Sequence, residues 1–375
     1  MTTIGKKTIG WLFFLLLAQS FSAFHPALAW QQAVAPRPFQ FPRDHGSHPD
    51  FKTEWWYVTG HLETETGRQF GYQFTIFRQG LRLEKTTDKD NVWKIRDLFI
   101  LHSGLSDVEN QRFFSHQDIS RAGPGLAGAA ITTMNTWLKG SRITMKPDGK
   151  GMELTVKTPE YGISLQLQPS YAPILNGTNG LSHKGSGPGQ ASYYYSWPRL
   201  ESRGTITLHD QQMTVSGLSW LDREFATNQL GANQAGWDWL AIHFNDGRSL
   251  MLYRMRNKDG SQDPASSGTM IAADGTATHL TSSDFTATPM DDWQSPHTHN
   301  NYPLFWKLNI VRPEKMLLQL SPLQLDQEIR ATDTTLANYW EGAIKISGTS
   351  AVNEPLLGYG YLELVGYGQP LTTLK

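Results

Sequence analysis

The 375-residue sequence contains no cysteine. That excludes disulfides, thiol nucleophiles, thiolate metal sites and a lipid-modified cysteine. It also lacks a dominant charge sign. The formal net charge is −1, so there is no broad basic field for nucleic acid and no strong acidic one. The usual catalytic signatures are missing as well: no Gly-x-Ser-x-Gly elbow, no His-Glu-x-x-His pair and no phosphate-binding loop. Nothing in the composition calls for a cofactor. Only one long apolar run occurs, "IGWLFFLLLA" at residues 9–18.

That run explains itself. Lys6 and Lys7 precede it, and Ala27-Leu28-Ala29 follows with the small-x-small form of a cleavage site. The run is too short to span a bilayer comfortably. The expectation is a signal peptide over residues 1–29, cleavage near Ala29, a mature start near Trp30 and a periplasmic destination. A disulfide-free exported protein must rest on its core, and this chain is long enough to build one.

What the chain has in quantity is tryptophan, 13 residues, and glycine, 34. Large rings and many turns together fit a β-rich fold. The length suggests two domains. Residues 30–50 read as an extended lead-in, followed by strand patterns. In "QFGYQFTIFR", Phe70, Tyr72, Phe74 and Ile76 fall on one face and Gln69, Gly71, Gln73 and Thr75 on the other. Only short helices are expected, for example at residues 115–121 and 332–339. The Gly/Ser-rich stretch 174–192 reads as a loop at a barrel mouth or a linker. "WWYVTG" near the start is loosely echoed by "YWEGAIKISG" near the end. The expected architecture is all-β, with barrels over residues 51–222 and 223–375.

Three segments concentrate rings and polar groups: "YYYSWPRL", "SGLSWLDREF" and "GWDWLAIHF". On a strand, Trp220 and Asp222 share a face, as do Tyr193, Tyr195 and Trp197, and as do Trp237, Trp239 and His243. An aspartate bordering an aromatic cavity would have its pKa raised by desolvation. It could then protonate an isolated C=C bond while ring faces stabilise the carbocation, and water would add. The competing reading makes residues 222–224 an inter-domain turn, with Asp222 paired to Arg199 or Arg203 and the rings as core. In "HPDFKTEWWYVTGHL", Trp55 and Tyr57 should share one face and Trp56 the other. Glu54 is either a buried acid at a binding site or an acid satisfied by an arginine or backbone amides. His297 and His299 have strand spacing for a metal, but Pro296 and Asn300-Asn301 make the segment an exposed turn, and no third ligand is evident.

The ordered segments "HPDFKTEWWYVTGHL", "FGYQFTIFR", "FFSH", "YYYSWPRL", "SGLSWLDREF", "GWDWLAIHF", "LMLYRMR", "YWEGAI" and "GYGYLELVGY" closely resemble the family of the AttH proteins and the carotenoid 1,2-hydratases (hydroxyneurosporene synthases). The resemblance runs from about residue 45 to 368. It implies a tandem pair of lipocalin-like (calycin) β-barrels. In the hydratases an aspartate two residues after an aromatic is the proton donor. The matching positions are Asp222 and Trp220, with Tyr195 and Trp197 on the earlier strand; the hydratase pattern carries a histidine where Tyr195 stands. The AttH branch accompanies ABC transporter permeases. The resemblance therefore implies an exported binder of a large hydrophobic molecule (a lipid, isoprenoid or polyene), linked to an ABC transporter permease and able to touch the membrane surface. The alternative is a hydro-lyase or cyclase acting through Asp222. Either way the expected catalytic residues are Asp222, Trp220 and Tyr195, and the expected ligand contacts are Trp197, Glu54, Trp55, Tyr57, Trp237 and Trp239, with no metal or cofactor.

Overall fold

The structure, a computed structural model, describes residues 29–83, 95–123, 125–228, 230–330 and 337–368. The expected signal peptide, residues 1–29, lies outside the described residues except for Ala29. Apart from a 3-10 turn at Arg43–His45, the described elements are strands.

The first sheet contains β1 (Thr53–Thr64), β2 (Gln69–Gly80), β3 (Asp97–Asp107), β4 (Arg112–Arg121), β5 (Ala127–Ala129), β6 (Asn135–Leu138), β7 (Ser141–Met145), β8 (Met152–Lys157), β9 (Tyr161–Pro169), β10 (Ile174–Leu175), β11 (Leu181–His183), β12 (Ala191–Leu208) and β13 (Gln211–Ala226). The second contains β14 (Gln234–Phe244), β15 (Ser249–Asn257), β16 (Ser267–Ile271), β17 (Ala277–Thr281), β18 (Phe285–Pro289), β21 (Trp306–Ile310), β22 (Met316–Pro322), β23 (Glu328–Ile329), β24 (Tyr339–Thr349) and β25 (Pro355–Val365). A small hairpin, β19 (Asp292–Gln294) and β20 (Asn301–Pro303), sits beside it. Each sheet curls into a nearly closed barrel, giving tandem lipocalin-like barrels.

Both sheets follow one plan. Sheet one runs β4-β3-β2-β1-β13-β12-β9-β8-β7-β6-β5, and sheet two runs β17-β16-β15-β14-β25-β24-β22-β21-β18, which matches its first nine strands. In each, the last strand returns to pair with the first. The registers match too: Tyr57 lies opposite Asp222, and Trp239 lies opposite Glu363. Trp55 thus corresponds to Trp237, Tyr57 to Trp239 and Asp222 to Glu363. The repeat is real, but "WWYVTG" aligns with "WDWLAI". "YWEGAI" aligns with "YYSWPR" of β12, because both precede the returning strand.

Strand alternation separates two environments. Inward residues such as Trp56, Val58, Phe70, Tyr72, Phe74, Ile76, Tyr195 and Trp197 form the core of barrel one. Outward residues of the same strands, Tyr57, Tyr194 and Trp220, pack with Trp239, Met251, Tyr253, Ala343 and Tyr361 between the barrels. Residues 115–121 are strand rather than helix, since their backbone is fully paired with β3 and tertiary pairing overrides weak local preference. The 174–192 stretch folds back in two short strands onto β12. Strand β13 runs unbroken through residues 222–224, and the chain changes sheet only between Ala226 and Gln234.

The lead-in is a strap over barrel one. His45 Nδ1 lies 2.6 Å from the Tyr195 hydroxyl, and its ring packs 4.7 Å from that of Trp197. Trp56 Nε1 donates to the His45 carbonyl at 3.0 Å. Glu54, fully buried, accepts from Ser47 Oγ at 2.5 Å and from the His48 amide at 3.0 Å, and it bonds both Arg78 and Arg223.

Candidate functional site

Strand pairing builds the site from the outward faces of β1, β12 and β13. Residues directly opposite each other in a ladder point to the same side. Asp222 is opposite Tyr57 on one flank and Ser196 on the other. Asp222 Oδ1 accepts from Ser196 Oγ at 2.5 Å and from Trp220 Nε1 at 2.7 Å, and Oδ2 accepts from Tyr194 at 2.6 Å. The Tyr194 hydroxyl in turn accepts from Trp239 Nε1 at 3.2 Å, across the barrel interface. Ser196 Oγ also accepts from Asn176 Nδ2 at 2.8 Å.

The three donors to Asp222 are neutral, and among the described residues no arginine binds it. Burial pushes its carboxyl up to about 7, against the opposing pull of those hydrogen bonds. Two donors occupy Oδ1, whereas Oδ2 has one donor and keeps a lone-pair position for a proton. Asp222 therefore keeps its proton to higher pH than an ordinary carboxyl.

Asp222 opens onto a cavity of about 110 Å³ between the barrels. Its deep wall includes Tyr57, Tyr194, Trp239 and Tyr253, all buried, while the partly exposed Trp55, Phe77, Leu230 and Trp237 form the rim. The Tyr57 and Trp239 rings meet edge-to-face at 5.1 Å. Lys184 enters from the returning 174–192 segment. It pairs with Glu224 at 3.2 Å, and its ammonium stands 3.8 Å from the Tyr253 ring centre. Glu363 also lines the cavity; burial pushes it up to about 7 as well.

The structure brings together Asp222, Trp220, Trp55, Tyr57, Trp237 and Trp239. Tyr195, Trp197 and Glu54 point the other way, into barrel one. Tyr195 bonds the strap instead of Asp222, because it is one residue out of phase with Tyr194 and Ser196. Glu54 holds arginines and backbone in place. Tyr194, Ser196, Lys184, Glu224 and Glu363 escaped sequence reasoning. For Tyr194 and Ser196 the missing datum was the β12–β13 register; for Glu363 the signal was an acid inside the apolar strand "GYGYLELVGY". His297 and His299 lie in an exposed turn, where His297 Nε2 is 2.9 Å from Asp326.

Two barrels on one strand plan, with a carboxyl-bearing aromatic cavity between them, define a tandem lipocalin-like protein. The chain belongs to the AttH-like family, whose model matches residues 32–367. Among solved structures it is similar to an AttH-type protein of Nitrosomonas europaea at 34% identity, covering 90% of this chain and 99% of that one with a TM-score of 0.79. It shares its fold with the kievitone hydratase of Nectria haematococca at 17% identity, covering 90% and 97% with a TM-score of 0.68. CghA matches at 11% identity, covering 91% and 96% with a TM-score of 0.54. No curated protein sequence matches the chain.

Proposed function

We propose that the protein is a hydratase that protonates a C=C bond of an apolar, isoprenoid-like substrate with Asp222 and adds water to the resulting carbocation. One observation carries this reading: a buried carboxyl, hydrogen-bonded by Ser196, Trp220 and Tyr194 and lining a cavity walled by aromatic rings. Such an acid gives up its proton without first breaking an ion pair. The rings of Tyr57 and Trp239 stabilise positive charge through their quadrupoles, while the Tyr253 ring is engaged by the Lys184 ammonium. Trp220 and Ser196 fix the carboxyl, and Tyr194 can hydrogen-bond the Asp222 carboxylate once the proton has left. The fold of a protein named a hydratase accords with this chemistry.

The cavity is smaller than the roughly 150 Å³ that encloses a benzene in an engineered core. It accepts the alkenyl end of a substrate, and the remainder of a long molecule lies beyond the Trp55, Phe77 and Trp237 rim. Asp222→Asn tests the assignment. Hydration should fall about 10²–10⁴-fold, with lipophile binding retained; a variant as active as wild type would remove Asp222 from the mechanism.

A second reading is favoured by the aromatic rim: an exported carrier that receives a lipophile and passes it to an ABC transporter permease. Native mass spectrometry of periplasmically purified protein, followed by organic extraction, tests it. A carrier should retain cargo stoichiometrically, and Asp222→Asn should leave that cargo in place.

A further inference from the structure

The repeat gives Asp222 a counterpart, and that counterpart is Glu363. Each is the acid opposite the aromatic at the centre of its barrel's first strand. The neighbouring positions correspond as well: Trp55 with Trp237, Tyr57 with Trp239, Thr75 with Tyr253 and Phe77 with Met255. All of these side chains line the one cavity, so the two carboxyls reach it from opposite barrels.

Their surroundings differ in one informative way. Trp237 Nε1 donates to Glu363 Oε2 at 2.8 Å. Where barrel one places Ser196 opposite Asp222, barrel two places Glu341 opposite Glu363. Two adjoining carboxyls, one buried and one partly buried, do not readily ionise together. Burial, and then the charge of Glu363, hold Glu341 protonated well above the usual carboxylate range. Glu341 Oε1 and the Tyr57 hydroxyl are both buried without a well-formed hydrogen bond. Glu363, half-buried and facing the cavity, is thus the member of the pair free to carry charge.

We propose that Glu363 is a second catalytic carboxyl, the base that takes a proton from the water added to the substrate. The assignment rests on the hydratase reading of Asp222. In the forward step the alkene π pair takes the proton from Asp222, forming a C–H bond and leaving a carbocation and a carboxylate. A water lone pair then forms the C–O bond, and the Glu363 carboxylate takes the proton that this water releases. The product is the alcohol, with Asp222 ionised and Glu363 protonated. A proton returns from Glu363 to Asp222 through water entering the emptied cavity, and no oxidant or reductant is needed.

The test uses the mature protein with 2-methyl-2-butene, geraniol and a prenylated phenol in H₂¹⁸O, following ¹⁸O-labelled alcohol by mass spectrometry. Glu363→Gln keeps an acceptor for Trp237. It should lower kcat about 10²–10⁴-fold with little change in KM and abolish the acid limb of the kcat–pH profile. Glu363→Asp should restore that limb at a reduced rate. A folded Glu363→Gln protein with full kcat and an intact acid limb overturns the role of Glu363 and leaves Asp222 standing. Wild type that hydrates none of the probes counts against both assignments together. Carboxyl ¹³C NMR supplies a readout without substrate: Asp222→Asn should lower the Glu363 titration midpoint, because the Asp222 charge helps hold it up. An unmoved midpoint overturns the shared-cavity pairing.

Discussion

Glu54 and Gly236 occupy the same place in the two barrels, and so do Arg78 and Arg256. In barrel one the arginine meets Glu54, with Arg223 on the acid's other oxygen. In barrel two the acid has moved two residues along, to Asp238, the position that Trp56 holds in barrel one. Asp238 binds Arg256 at 2.6 Å and Arg254 at 2.8 Å. The first cluster is sealed: the Arg78 and Arg223 guanidiniums are capped by the carbonyls of His48, Phe51 and Gly46 from the lead-in. The second lies nearer solvent, with side chains 5–12% exposed. The inward faces differ: among the described residues, the barrel-one cluster also anchors the lead-in strap. The outward faces place residues at corresponding positions around one cavity.

The largest expected effect tests that asymmetry. Glu54→Gln leaves two buried arginines short of their anion and should cost about 3–5 kcal/mol in urea unfolding. Asp238→Asn, in the less enclosed cluster, should cost about 1–2 kcal/mol. Glu54 is held well below the ordinary carboxylate value by Arg78 and Arg223, which overcome its burial. Its contribution is therefore complete above about pH 4.5 and is lost as pH falls through the lower folded value. Limited proteolysis within residues 30–50 should accelerate only in the Glu54 variant. Equal losses in the two barrels would break the comparison.

The strands of the fold were legible because period-two alternation survives wherever one face is buried, as in Phe70, Tyr72, Phe74 and Ile76. The split of Trp55 and Tyr57 from Trp56 followed from the same rule. What could not be read was the choice between the two faces of "YYYSW". Both are aromatic and both are buried, one in barrel one and one between the barrels. Only the ladder with β13 decides that Tyr194 and Ser196, not Tyr195 and Trp197, join Asp222. The repeat was sensed but misaligned, since composition carries no information on which strand returns to pair with the first.

A second prediction compares Asp222 with its own neutral mimic. A carboxyl raised from 3.8 to about 7 means that the folded state holds its proton more tightly than the unfolded state. Wild-type stability therefore drops as pH rises from about 4 to 7, and the cost is complete above the folded value. Asp222→Asn removes that slope and should be more stable than wild type at pH 8 by about 2–4 kcal/mol. Tyr194 can turn its hydroxyl to accept from the new amide. A variant less stable than wild type at pH 8 would show Asp222 to be a structural clamp.

The smallest effect concerns the opposite end of the interface. His61 on β1 and His243 on β14 are also counterparts, opposite Leu218 and Tyr359. Each reaches into the other barrel: His61 Nε2 donates to the Gly360 carbonyl at 2.7 Å and His243 Nε2 to the Pro198 carbonyl at 2.6 Å. Burial pushes both imidazoles down to about 4, so both are neutral at pH 7. Their folded pKa lies below the unfolded 6.5, so the unfolded state takes up protons first on acidification. The stabilisation they give is complete above about pH 6.5 and is lost as pH falls towards 4. Each His→Gln change should cost about 1 kcal/mol at pH 7, one hydrogen bond, and should remove part of the loss between pH 6.5 and 4. The two costs should agree within about 0.5 kcal/mol if the interface is balanced about its repeat. A silent His61→Gln beside a costly His243→Gln would mean that one barrel grips the other and that the matching positions no longer share the load.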